Sequence, residues 1–559
     1  MHAEDALFLP PSISSTLRLL HKQRRDDRIS HLQSIHHDVQ YVRGTHERLG
    51  QPPLLANLRC GIWYAPPDIS SGHCYFKSTD GHVGAWDFSL SRLNLQVALT
   101  AASSGAVVVV DSTRSGKSFP DSLTKTLPIW CCVINRAVAA KRGNDAHGWW
   151  DTTLRLPTWI PESEASQIEA RIGSWVSALC RPALAPVLER LVNGLDRPLR
   201  PSWLSPKGGN AVHATAQPVS EAAGYAWVYC VCASEVCTAE EARERASYTY
   251  IQGAGDDEEN WARGLTAQLW WRWHFDLIEM ARHDARAAED ELTRRLEALA
   301  AAAAAPAASD ASAESGDGLG RKDAAPIATP PPAAAAMELR PPCALFDGGL
   351  LIGARRCADV AAIWCHTDAI LDVGGSAGQP AMSAGAAGGS YLHLPVEDEG
   401  VGCKKRAQPS KDWWQRVVLP KALCYLHGHL MRGRRVIICC ERGDDRSATV
   451  AAAASLALYD ETATSLLPYQ GLTERRRISK EHVRARLALL QASYPEARIS
   501  RGLTKELNNF FVAAGGGWAR LELRLGDGDS DRDGLQSEQF EATREPGPQP
   551  DAAPPIGIK

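Results

Sequence analysis

Residues 297–336 are almost all alanine, proline, glycine and serine with scattered charges, and that composition cannot bury enough apolar surface to offset its ordering entropy. No single core can run through such a stretch. The chain therefore divides into two folded blocks, residues 1–296 and 337–515, joined by a disordered linker at 297–336. A second segment of this kind, 516–559, closes the chain as an acidic disordered tail, with eight acids against three bases from Leu525 to Lys559. Because the 559 residues sum to −4, everything before that stretch stands at +1. A near-neutral body argues against histone-like or basic-tail binding to nucleic acid and leaves room for a local basic face.

No run of 18 apolar residues exists, and the poly-Ala stretch from Ala298 stops at Pro306, so no transmembrane helix is expected. Glu4 and Asp5 come early with no apolar core after them, unlike a secretory signal. Fifteen cysteines, an odd number without framework spacing, suit a reducing compartment, and the expected location is the cytoplasm.

The first block opens with a polar helical stretch, Ser15 to Arg43, and closes with a long helix from Glu258 to about Ala304. That helix carries Trp270, Trp271, Trp273 and Phe275, an aromatic run read as core in preference to a base-stacking surface. Between them lie strand-like runs at 107–110, 129–134 and 226–232. Strands and helices mix, so the block is α/β or α+β. The second block reads as a strand at 391–396, a helix from Trp413 to Leu430, a strand from Val436 to Cys439, a loop, and an Ala-rich helix from Ser447 to Tyr459.

That loop is Cys440-Glu-Arg-Gly443-Asp-Asp-Arg446-Ser447, the C-x-x-G-x-x-R-S spacing of cysteine-dependent phosphatases. Five residues between Cys and Arg let backbone N–H groups wrap a phosphate while Arg forks onto two of its oxygens. YLHLPVED at 391–398 resembles the dual-specificity phosphatase strand that leads to the general-acid loop. Cys439 replaces the usual His, and Glu441, Asp444 and Asp445 bring three carboxylates into a loop that should attract a dianion. Such acids suit ribose hydroxyls or a phosphate-bound Mg²⁺ better than thiolate attack, so a phosphate-binding derivative is expected in preference to an active phosphatase.

In the first block, Lys77-Ser78-Thr79-Asp80-Gly-His82 gathers a cation, two hydroxyls, an acid and a His at a turn. The strand at 107–110 runs into Asp111-Ser112-Thr113-Arg114-Ser-Gly-Lys117, with Asp121 and Lys125 following, and loops at the carboxyl end of a strand are where open α/β sheets bind ligands. A P-loop is excluded, because Asp111 stands where its first glycine is required. What remains is an anion site, or else a salt-bridged surface turn. Asp256 and Asp257, in a Gly-rich turn, could cap a helix or hold Mg²⁺. Cys230, Cys232 and Cys237 lack a second spaced pair, so no zinc site is expected.

Together NLRCGIWY, CYFKSTDGH, SRLNLQ, VVVDSTRSGK, PDSLTKTLPIWC, YIQGAGDD and ICCERGDDRS resemble the initiator-tRNA ribosyl-phosphate transferases, across both blocks and in order. Ile478-Ser-Lys480, and Arg498-Ile-Ser-Arg501 with Asn508, are similar to that family's closing segment. The resemblance implies an N-terminal mixed α/β transferase-type domain and a C-terminal dual-specificity-phosphatase-like α/β domain. It implies transfer of 5-phosphoribosyl from phosphoribosyl pyrophosphate to the 2′-hydroxyl of adenosine 64 of initiator methionine tRNA, with Mg²⁺, which keeps that tRNA out of elongation.

Such chemistry must neutralise departing pyrophosphate and orient a weak hydroxyl nucleophile beside a base. Asp80, His82, Asp111 and Asp121 are the candidate catalytic groups, with Asp111, Asp256 and Asp257 as metal ligands. Lys77, Ser78, Thr79, Ser112, Thr113, Arg114 and Lys117, with Cys440, Gly443, Asp445, Arg446 and Ser447, are the candidate substrate contacts. Arg475, Arg476, Arg477 and Lys480, with Arg484 nearby, form the best basic patch for tRNA. Two rival classes stay open: a cysteine phosphatase, and a non-catalytic RNA-binding protein with relic phosphate pockets.

Overall fold

The computed structural model describes residues 28–79, 82, 84–114, 116–143, 149–206, 224–237, 248–304, 342–355, 363, 366–375, 389–396, 413–467, 477–513 and 517–521. Within the first block the elements run α1 (Arg28–Arg48), β1 (Leu54–Asn57), β2 (Ser70–Cys74), α2 (Leu95–Ser104), β3 (Ala106–Asp111), α3 (Leu127–Arg142), α4 (Glu162–Leu179), α5 (Ala185–Gly194), β4 (Leu199–Leu204), β5 (Ala226–Cys232), α6 (Ala267–His283) and α7 (Ala285–Ala304).

The five strands form one parallel sheet in the order β2-β1-β3-β5-β4. β3 is its middle strand and reads AVVVVD, apolar without alternation because both faces are covered. Val107 and Val109 face a core built with α2, α3, α4 and α5, whereas Val108 and Val110 face one built with α1, α6 and α7. The result is a three-layer α/β/α domain.

The second block runs β6 (Cys343–Leu345), β7 (Leu350–Ala354), β8 (Ala369–Asp372), β9 (Ser390–His393), α8 (Leu419–Leu430), β10 (Val436–Cys440), α9 (Arg446–Leu458), α10 (Lys480–Ser493) and α11 (Arg501–Phe511). Its sheet order is β6-β7-β10-β8-β9, parallel except for β6. β10 is central, and α9 leaves it through the loop 441–445. Every residue of α9 is buried, and its run of alanines lets neighbours pack close all round.

Several expected elements differ. Residues 129–134 belong to α3, where Pro128 opens the helix and burial on nearly all sides hides the helical period. The expected long helix is broken twice. Arg263 and Gly264 take positive φ before Thr266 caps α6 by accepting from the Leu269 N–H, and Asp284 breaks the chain between α6 and α7. Trp270 is core, as read, but Phe275 is 74% exposed. α7 extends to Ala304, so residues 297–304 of the expected linker are helical. A short helix, Gly517–Arg520, brings Trp518 onto Phe511 beyond the expected domain end. The start of the expected first helix, residues 15–27, the rest of the linker and residues 522–559 lie outside the described residues.

The two domains share packing. Ala485, Ala488 and Leu489 of α10 join the first domain's core beside α2 and α5, and Arg181 pairs with Glu481.

Candidate active site

Strand order in the first sheet reverses between β1 and β3, because the chain leaves β1 for β2 on one side and returns on the other as β3. The crevice at their carboxyl ends is the switch point where such sheets take ligands. Asp111 ends β3 there and is fully buried. Its Oδ2 accepts from Ser122 Oγ at 2.5 Å, Asn57 Nδ2 at 2.7 Å and Arg59 Nε at 3.3 Å. Its Oδ1 accepts from the Ser112 N–H at 2.8 Å and from Cys60 Sγ at 3.0 Å.

Asn57, Arg59 and Cys60 bring NLRCGIWY to this carboxylate and Ser122 brings PDSLTKTLPIWC, and through Asn57 and Arg59 two further motifs join. Asn57 also bridges to the CYFKST turn, accepting from the Phe76 N–H at 2.8 Å and donating to its carbonyl at 3.0 Å. Arg59 continues to Asp256 at 3.0 Å and to the Ser112 carbonyl. Burial opposes its charge, but Cys60, Asp111 and Asp256 together hold the guanidinium far above its usual range. The Gly-rich turn fits only as glycine: Gly253 has φ +69°, and a Cβ there would stand 2.4 Å from the Thr113 carbonyl oxygen. Gly255 donates its N–H to Tyr64 Oη at 2.7 Å, closing the ring of motifs. Thr113 is tied to Ser234 through both its N–H and its carbonyl.

The expected polar groups surround this hub. Lys77 is exposed, and its carbonyl accepts from Thr126 Oγ1 at 2.8 Å. Lys117 and Lys125 lie 3.6 and 3.4 Å from the two oxygens of Asp121, which also accepts from Thr79 Oγ1 at 3.2 Å. Ser122 to Thr126 form a wide π turn into α3, a backbone irregularity that often marks a functional site. Arg114 pairs with Asp256 at 2.9 Å and with Asp257. His82 is exposed, Ser78 half-buried, and Ser112 and Thr113 are buried. Asp80, Arg475 and Arg476 lie outside the described residues, while Arg477 and Lys480 are exposed.

Each of the three expected metal ligands has protein partners in the structure. Both Asp111 oxygens are occupied by five donors, and Asp256 and Asp257 are engaged by Arg59 and Arg114, so these three carboxylates organise loops and do not fit a resident metal ion. Among the described residues no group of three or more His, Cys, Asp or Glu side chains could hold a metal.

In the second domain the loop after β10 keeps the shape of a phosphate loop. Gly443 has φ +81°, its N–H donates to Cys440 Sγ at 3.2 Å, and Cys440 Sγ lies 3.2 Å from Ser447 Oγ. Its charges, however, are spent internally. Arg446 donates to Glu441 at 3.1 Å, and Glu441 also accepts from the Gly375 N–H and pairs with Arg355 at 3.4 Å. Asp445 accepts from the Ser500 N–H at 2.9 Å, and the Asp444 carbonyl accepts from the Arg498 N–H at 2.7 Å. Arg498 then reaches His73 in β2. Of the acids expected to meet ribose hydroxyls or Mg²⁺, Asp445 instead fastens the segment 498–501, which joins the domains, and the Asp444 carboxylate pairs with Arg442.

Comparison with known proteins agrees with this organisation. A family model described as the Rit1 N-terminal domain matches residues 21–298, and one described as the Rit1 DUSP-like domain matches residues 401–511. The chain belongs to the Rit1 family. It is 35% identical over 263 residues to the tRNA A64-2′-O-ribosylphosphate transferase of Saccharomyces cerevisiae, covering 45% of this chain and 50% of that one. It is 35% identical over 254 residues to an uncharacterized protein of Schizosaccharomyces pombe, covering 45% and 53%. This Rit1 family chain thus spans about half the length of the curated relatives it matches. Crystal structures of human DUSP28 (16% identical, 29% of this chain and 88% of that one, TM-score 0.21) and of the Yvh1 phosphatase domain from Chaetomium thermophilum (23%, 28% and 88%, 0.21) are also similar.

Asn57, Arg59 and Ser122 do not stand out as site residues in the sequence. The signal available for the first two is their place at the end of β1, inside NLRCGIWY; nothing local marks Ser122 as a partner of Asp111.

Proposed function

We propose that this chain is a tRNA-modifying pentosyltransferase of the cytoplasm, moving 5-phosphoribosyl from phosphoribosyl pyrophosphate to the 2′-hydroxyl of adenosine 64 of initiator methionine tRNA and so barring that tRNA from elongation. The observation that carries it is the convergence of five motif segments on Asp111 at the sheet's switch point, with Lys77, Arg114, Lys117 and Lys125 around it. The name of the S. cerevisiae relative supplies the reaction class.

In this reading the C1–O bond of the donor breaks as the 2′-oxygen attacks, and negative charge gathers on the departing pyrophosphate. Lys117 and Lys125 face that charge. Asp121 and His82 are the described groups that would take the hydroxyl proton. Asp111 does not touch the reacting atoms; it holds the loops that do. Mg²⁺ belongs to the proposal as the counter-ion of the donor's pyrophosphate, carried by the donor.

The test mixes purified protein, Mg²⁺, donor labelled in its ribose phosphate and total tRNA. Label should enter RNA only with donor and protein present, and no incorporation across several tRNA pools would sink the reading.

A further inference from the structure

Between the two domains lies an open cleft of about 450 Å³. Lys77 and Arg92 project from its first-domain wall, Lys480 and Arg484 from α10 and Arg501 from α11, against one acid, Asp87. None of these five cations pairs with a described carboxylate. Concentrating them in a chain of net charge −4 builds a local positive field that a polyanion relieves.

Arg92 rests over the Tyr75 ring, 4.8 Å from its centroid, which fixes where its charge points. Burial pushes the Arg92 guanidinium below its ordinary range, and Arg501 across the cleft adds to that push. Asn508, also on the lining, donates through Nδ2 to the Thr504 carbonyl, while its buried Oδ1 has no described partner. An acceptor on the same lining as these cations suits a ligand that carries hydroxyl donors as well as phosphates, as an RNA backbone does. Lys77, Lys480 and Arg501 are exposed, which fits a backbone running past the surface better than a small anion enclosed in it.

We infer that this interdomain cleft grips the phosphate backbone of an RNA stem, with Arg92 from the first domain and Arg484 and Arg501 from the second on its phosphates and Asn508 on a ribose hydroxyl. The phosphatase-like domain then serves as half of an RNA clamp, and its loop, by fastening residues 498–501 through the Asp445 carboxylate and the Asp444 carbonyl, holds Arg501 in place. The identity of the RNA as tRNA rests on the transferase reading.

The test measures binding of unmodified tRNA to the full chain, without donor, by fluorescence anisotropy across a salt series. The double variant Arg484→Ala/Arg501→Ala should weaken binding at least tenfold near physiological salt. Its salt dependence should be shallower by about 1.8 in log–log slope, about 0.9 for each phosphate that is no longer neutralised. The charge-retaining pair Arg484→Lys/Arg501→Lys should keep the wild-type slope. Unchanged affinity and slope in the alanine pair would overturn the inference, as would a lysine pair as weak as the alanine pair. Weaker donor binding in the alanine pair, measured by calorimetry, with tRNA affinity intact would assign the cleft to the donor and overturn it too. A wild-type chain that binds tRNA this way yet transfers nothing would sink the transferase reading alone; one that binds no tRNA would sink both.

Discussion

Asp111 shows what a single residue can organise. It reaches no solvent, yet it accepts from Asn57, Arg59, Cys60, Ser112 and Ser122. Removing its charge leaves Arg59 partly unpaired in a buried place, and breaking such a pair costs about 3 to 5 kcal/mol. Asp111→Asn should therefore lower the unfolding midpoint in denaturant as well as transfer, while Lys117→Ala, on an exposed side chain, should cut transfer roughly a hundredfold with stability unchanged. If Asp111→Asn lost transfer with full stability, the carboxylate would act on substrate directly. Cys440 bears on the phosphatase alternative. Arg446 is already matched by Glu441 and Arg442 by Asp444, so Cys440→Ser should keep most transfer activity, and the wild type should release no phosphate from an aryl phosphate. Steady-state assays of both reactions check this, and aryl phosphate hydrolysis that vanishes in the Ser variant would revive that alternative.

Among the elements, those with a clear period or a strong terminus are readable in the sequence and the others are not. β3, β5 and β10 stand where their apolar runs place them, because central strands of parallel sheets bury both faces. The same rule misplaces residues 129–134, since a helix buried all round shows the same unbroken apolar run as a strand. The site is legible as separate motifs, but their meeting point is not: Asn57, Phe76, Asp111, Ser122 and Asp256 are joined by hydrogen bonds across long stretches of chain. Two helices also carry a measurable pH response. Burial and Arg282 push His36 of α1 down to about 4, and burial and Arg434 push His429 of α8 down to about 4, from 6.5. As pH falls from about 6.5 toward 4 the unfolded chain binds these protons first, so stability should be lost across that window. Thermal midpoints measured through it should decline, and His429→Gln should flatten the decline; a flat wild-type profile would contradict the burial of these rings.

Over the whole molecule, the composition of residues 297–336 divides the chain into two blocks but gives no sign that they share a core. Ala488 and Leu489 of α10 look like ordinary amphipathic positions of a second-domain helix, and only the fold shows them packed into the first domain. No described helix is long and apolar enough to cross a membrane. The docking sets the 76–79 turn of the first domain on the wall of the basic cleft, so the proposed chemistry and the proposed RNA grip adjoin. The most direct measurement of the central claim is to map where label from the donor's ribose phosphate lands in tRNA. The account predicts one 2′-O-phosphoribosyl group, at adenosine 64 of initiator methionine tRNA, lost in Lys117→Ala. Label at many nucleotides, on another tRNA, or on none would contradict it.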